Sequence, residues 1–148
     1  MSSIRDAIIV DVVTQLSAAG KPAGLTVHRN RTRPIHADVL PAQLVYMIEE
    51  HIETGPGRSG YKTRRKMKLR IETRVDAGSS APDAALDPYL SWMVQQLHAD
   101  PTRGGRAHDS TEFLTQWTAT EADKVYGAAA SDWIIDYVTS ASNPDAAT

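Results

Sequence analysis

Apolar and polar residues alternate most regularly between positions 61 and 75, YKTRRKMKLRIETRV. Lys62, Arg64, Lys66, Lys68, Arg70 and Arg74 take one set of alternate positions, interrupted by Glu72. Tyr61, Thr63, Met67, Leu69, Ile71, Thr73 and Val75 take the other, with Arg65 as the exception. Side chains of a strand alternate between its two faces, whereas a helix would scatter the same charges around its circumference. The pattern predicts a long strand with a basic face and an apolar face. The apolar face needs a core. The basic face needs water, acidic neighbours or phosphate.

The period changes elsewhere. Ile4, Ile8, Val12 and Leu16 recur every fourth residue, joined by Ile9 and Val13, which predicts an amphipathic helix. Ser2 or Ser3 can cap it, with Asp6 placed as in a capping box, and Gly20 and Pro22 stop it. Residues 25–29 (LTVHR) read as a short strand, and residues 30–41 as a polar loop carrying Pro34 and Pro41. Residues 43–52 (QLVYMIEEHI) predict a second strand, apolar on both faces at first and leaving the core at Glu49 and Glu50. The glycine-rich residues 54–60 (TGPGRSG) join it to the basic strand. Residues 43–75 therefore predict a long hairpin whose tip projects from the domain.

Residues 77–82 read as a linker of small residues. Leu86, Leu90, Met93, Val94 and Leu97 then mark a second amphipathic helix, with Asp83 or Asp87 as its cap and Pro88 in its first turn. It ends near Asp100 and Pro101, before the turn-forming residues 102–110 (TRGGRAHDS). Residues 112–120 and 129–139 are two more strands. In the last, Trp133, Ile135 and Tyr137 share one face, and Asp132, Ile134 and Asp136 the other. Trp92, Trp117 and Trp133 lie inside elements and are read as core, and Tyr126 beside Gly127 as the anchor of a turn. The layout predicts an α+β fold: a mostly antiparallel or mixed sheet with both helices packed on one face. One domain covers residues 1–139, and the small polar residues 140–148 form a flexible tail. The expected core brings Leu90, Met93 and Leu97 onto Ile8, Val12, Met67, Leu69, Ile71, Trp133 and Ile135.

Composition changes this picture little. A chain of 148 residues can build one ordinary core. The formal net charge of −2 argues against a nucleic-acid binder by bulk charge, so the local basic row matters more than the total. No cysteine is present, which excludes disulfides, thiolate metal sites and a cysteine nucleophile, and suits cytosolic synthesis. The apolar run 7–13, broken by Asp11, falls far below the ~18 residues of a membrane span and lacks a signal-peptide layout.

Candidate chemistry is sparse. His28, His36, His51, His98 and His108 are scattered and match no metal-ligand spacing. Glu49 and Glu50 precede the basic strand, but a metal-dependent nuclease needs two carboxylates converging on one metal, and adjacent strand residues point to opposite faces and cannot serve one site. One of them instead offsets cross-strand lysine or arginine. No catalytic, cofactor-binding or metal-binding residue is expected. Three readings of the row Lys62, Arg64, Lys66, Lys68, Arg70 and Arg74 stay open. It is solvated or paired with acids such as Asp132 and Asp136. It faces a nucleic-acid backbone. Or it meets an acidic protein surface. Its face carries no aromatic residue on which bases could stack.

The order of elements and several phrases resemble the tail terminator proteins of long-tailed bacteriophages, the family of the minor tail protein U of lambda-like phages. The phrases are the N-terminal helix, VLPAQLVYMIEE, the basic strand from Lys62, PDAALDPYLSWMVQQL, DPTRGG and DWIIDYVT, spanning residues 4–139. The resemblance implies a structural, non-enzymatic virion protein at the head–tail junction. It implies a homohexameric ring that caps the tail tube, stops its polymerisation and meets the head-completion protein. Genomic DNA passes through the lumen of such a ring without sequence-specific binding. The implied partners are the chain itself, the tail tube protein and the head-completion protein, with no membrane and no cofactor. Two other readings are another head–tail connector or neck protein, and a nucleic-acid-binding module using residues 62–74. An extended hairpin suits a ring subunit that reaches its neighbour, and strand faces of mixed sign suit heterologous contacts that close by rotation. The six basic residues are then subunit-interface or lumen-facing.

Overall fold

The computed structural model describes residues 3–29, 40–54, 62–121 and 125–140. Most of the polar loop, the glycine-rich tip and nearly all of the C-terminal tail expected above lie outside these residues. Helix α1 spans Ile4–Leu16. Ser3 caps it: its Oγ accepts the Asp6 N–H at 3.0 Å, a contact of about 1 kcal/mol in a typical helix. The four-residue period puts Ile8, Val12 and Leu16 on one buried face, with Ile9 beside them.

Strand β1 (Thr26–His28) runs parallel to the start of β2 (Ala42–Thr54), from the pair Thr26↔Ala42 to His28↔Leu44. Strand β2 turns back antiparallel onto β3 (Thr63–Asp76). Helix α2 follows (Pro82–Ala99), then β4 (Asp109–Glu121) and β5 (Val125–Thr139), a second antiparallel hairpin. Strand β5 inserts between β3 and β4, so the order is β1-β2-β3-β5-β4 in one mixed sheet. The fold is α+β.

Alternation along the two central strands decides where the core sits. Met67, Leu69 and Ile71 of β3 pair with Ile135, Trp133 and Ser131 of β5 on one face. There they meet Ile8, Val12 and Leu16 of α1 and Met93 and Leu97 of α2. Both helices therefore cover the same face, and the even-numbered residues of β3 are left on the other. Leu90 packs against this core but is only partly buried.

Three local expectations need correction. Helix α2 begins at Pro82, which takes the first-turn role, and Ala81 caps it without a side-chain hydrogen bond. Pro88 consequently lies inside the helix, where it cannot donate to the Ala84 carbonyl. Tyr126 is no turn anchor; it sits in β5, opposite Thr120 and Asp76. The β2–β3 hairpin is long, but its β3 arm does not stand alone: β5 pairs with it from Asp76↔Tyr126 to Thr63↔Thr139. The outer end of the hairpin is thus three strands wide.

Candidate functional site

The basic row of β3 lies on the sheet face away from the helices, and the neighbouring strands bring carboxylates to it. Arg64 meets Asp136, and Arg70 meets Asp132 through two hydrogen bonds of 2.8 and 3.1 Å. Lys68 reaches Glu49 at 2.9 Å, Lys66 lies 3.9 Å from Glu53, and Arg74 bonds Glu72 within its own strand at 2.8 Å. Among the described residues, five of the six basic side chains thus have a carboxylate within 4.0 Å; Lys62 is exposed at the outer end. Hydrogen bonds from Arg64 hold Asp136 below the usual carboxylate range, and those that Arg70 donates to Asp132 push Arg70 further up. Exposed pairs of this kind contribute little one by one, but the row as a whole is close to neutral.

A β-bulge interrupts β2 between Met47 and Glu49, and it changes which face the following residues take. Glu49 moves to the charged face, beside Lys68. Glu50 turns to the helix face, so it does not leave the core. Its carboxylate, 8% exposed, accepts from Arg5 of α1 at 2.8 Å, from Arg65 of β3 at 2.8 Å and from the Tyr137 hydroxyl of β5. Burial pushes Glu50 up, yet the bonds from Arg5, Tyr137 and Arg65 together leave it below its ordinary value. Burial, then the bond to Glu50, pushes Tyr137 up to about 12. Four elements are pinned at one carboxylate. The basic intruder Arg65 was the sequence signal for it.

A second charged cluster sits under the other end of α1. Arg103, in a left-handed conformation at φ 52°, is fully buried. It donates to the Leu97 and Asp100 carbonyls at the end of α2 and lies 3.5 Å from Asp11. Burial pushes Arg103 down and Asp11 up. Asp11, which breaks the first apolar run, was its only trace in the sequence.

Apart from Val10 on α1, the exposed large apolar side chains among the described residues lie on β2 and β4. Strand β1 covers only the first three residues of β2, so residues 45–54 of β2 form an edge with no strand beside it among the described residues. Ile48 is 40% exposed there and Ile52 52%. At the opposite edge, β4 has its own bulge between Glu112 and Leu114, with Phe113, Leu114 and Trp117 exposed. Phe113 lies under the Lys68 ammonium, 4.8 Å away. Trp133 is core as expected, and Trp92 is partly buried, donating to the Leu16 carbonyl at 3.0 Å. Trp117 is not core: at 55% exposure it borders a groove of about 340 Å³ between α2 and β4. Strand period alone could not show that its inward face lies beyond the edge of the helical layer.

The described histidines are not brought together, and His36 lies outside the described residues. Among the described residues, no group of three or more histidine, aspartate or glutamate side chains could hold a metal ion, and no helix is long and apolar enough to cross a membrane. Comparison of the chain with protein-family models and with curated proteins finds no match to either.

Proposed function

We propose that this chain is a ring-forming structural subunit of a phage tail, of the tail-terminator type, acting at the junction of tail and head. One observation carries the assembly part: β2 runs ten residues past its pairing with β1, and this open edge bears the exposed Ile48 and Ile52. An edge with no strand partner among the described residues and two exposed isoleucines is a template for another chain. The opposite edge, β4, is different in sequence and shape. Two unlike edges favour a heterologous contact, which closes into a ring when its rotation divides the circle. The tail-terminator part rests on the sequence resemblance, including residues 39–50 and 132–139. The near-neutral charged face supports a structural role over nucleic-acid binding, because phosphate attraction needs uncompensated cations. In this reading the ring meets the tail tube protein on one side and the head-completion protein on the other, and DNA passes through its lumen.

Native mass spectrometry and negative-stain microscopy of the purified chain test it. The expected result is a closed ring, with six subunits as the favoured number. Ile48→Lys with Ile52→Lys should reduce it to monomers of unchanged circular dichroism, since both side chains are exposed. A wild-type chain that stays monomeric up to high concentration, with no association on tail tubes, rules the reading out.

A further inference from the structure

The groove between α2 and β4 has a definite chemistry. Leu90, Val94 and Trp117 supply apolar lining, and Glu112 and Asp87 stand beside them. A second compartment of about 220 Å³ continues past Trp117, with Leu86 and Asp83 in its wall. The lining of both compartments includes three carboxylates and no lysine or arginine. His98 approaches Glu112 at 3.5 Å and adds charge only when protonated. The groove lies beside β4, the terminal strand of the sheet, whose outer backbone has no strand partner among the described residues.

An extended segment laid along β4 would place every second side chain, about 7 Å apart, into the groove. Two such side chains would straddle the Trp117 indole, one in each compartment. Arginine fits both demands. Its stem covers apolar surface and its guanidinium stacks on an exposed indole or pairs with a carboxylate at the rim. The chain carries this pattern itself: Arg29, Arg31 and Arg33 stand at alternate positions immediately after β1. Arg29 is engaged by Asp6 at 2.6 Å, which leaves Arg31 and Arg33 as candidates.

Chain length decides between the subunit's own groove and a neighbour's. Ten residues, 30–39, lie between Arg29 and Leu40, and both of those flank the β1–β2 pair. Strand β4 lies four strand spacings from β1, about 19 Å, so a path there and back needs about 38 Å. The eleven Cα steps from Arg29 to Leu40 reach about 38 Å only when fully extended, which leaves no length to lie along the groove of the same subunit. In a head-to-tail contact, however, the β1 edge of one subunit faces the β4 edge of the next. We propose that the α2–β4 groove is a docking site for the segment containing Arg31 and Arg33 of a second copy, with Asp83, Asp87 and Glu112 as its countercharges. The proposal rests on the self-association reading above and names the contact within it.

A synthetic peptide of residues 28–36 is the probe. Titrated into the full chain carrying Ile48→Lys and Ile52→Lys, it should shift Trp117 fluorescence to the blue, and Trp117→Phe should abolish the shift. Arg31→Glu with Arg33→Glu in the peptide should weaken binding about tenfold or more, as expected for two reversed ion pairs. Asp83→Lys with Asp87→Lys in the protein should restore binding of that reversed peptide, a rescue that a folding defect cannot mimic. Rings that form normally in the full-length Arg31→Glu, Arg33→Glu chain overturn the docking proposal and leave the ring reading intact. Peptide binding by a wild-type chain that never self-associates overturns the second copy as occupant along with the ring. Equal binding of wild-type and reversed peptides overturns the proposal outright.

Discussion

At the scale of single residues, Glu50 accepts from side chains of three other elements, Arg5, Arg65 and Tyr137. Replacing it by Gln keeps the shape but leaves Arg5 and Arg65 facing a neutral amide. Hydrogen bonds to charged groups contribute about 1.5–3 kcal/mol, so Glu50→Gln should lower unfolding stability by about 2–3 kcal/mol at neutral pH. The sign of the pH effect follows from the depressed carboxylate. Its stabilisation is present above the unfolded value of about 4.3 and is lost as pH falls from there through the lower folded value. Urea melts between pH 7 and pH 3 should show a smaller acid loss in Glu50→Gln than in wild type. An equal or steeper loss would mean that the Arg5–Glu50–Arg65 contact contributes nothing. Of these residues, the sequence marked Arg65, as an intruder on an apolar face, and Glu50, as a carboxylate that could offset a cross-strand cation; Tyr137 looked like ordinary core.

At the scale of elements, two features break local rules. Pro88 sits inside α2 because Pro82 already starts the helix and the apolar spacing from Leu86 to Leu97 carries it onward. Its ring removes one helical hydrogen bond and crowds the preceding turn. Pro88→Ala should raise stability by about 1–2 kcal/mol, the gain in helix offset partly by a more flexible unfolded chain. Chemical denaturation measures this directly; a loss of stability would mean that the helix needs the bend proline provides. The bulges at Met47/Glu49 and Glu112/Leu114 are the second feature. Both lie beside the level of Leu69 and Trp133, one on each flank of the sheet, and each shifts the alternation of its strand. No residue type announces a bulge, so a period-two reading holds only as far as the extra residue.

At the scale of the whole molecule, the charged face decides how the chain meets nucleic acid. Six basic residues in a row would release several counterions on DNA, but five are already opposed by carboxylates of the same subunit. Binding to random duplex DNA should therefore be weak, with a salt slope corresponding to about one phosphate or fewer per subunit. Asp132→Asn with Asp136→Asn frees Arg70 and Arg64 and should steepen that slope by about two. A filter-binding series at several salt concentrations reads both. A steep slope in wild type would show that the paired row still engages phosphate.

The sequence alone determined what depends on local periodicity. Spacing of four placed α1, alternation placed β3 with its two chemically opposite faces, and together they fixed an α+β chain with both helices on the Leu69 face. These survive because burying an apolar stripe has only one solution per element. Tertiary structure decided what depends on which strands become neighbours. Inserting β5 beside β3 brought Asp132 and Asp136 to the arginines and turned an apparent phosphate surface into a nearly neutral lattice. The bulge in β2 rotated Glu50 from the charged face onto Arg5 and Tyr137. Stopping the helical layer short of β4 left Trp117 in a groove rather than in the core. Residues far apart in the chain create each of these environments, and alternation along one strand carries no information about the strand beside it.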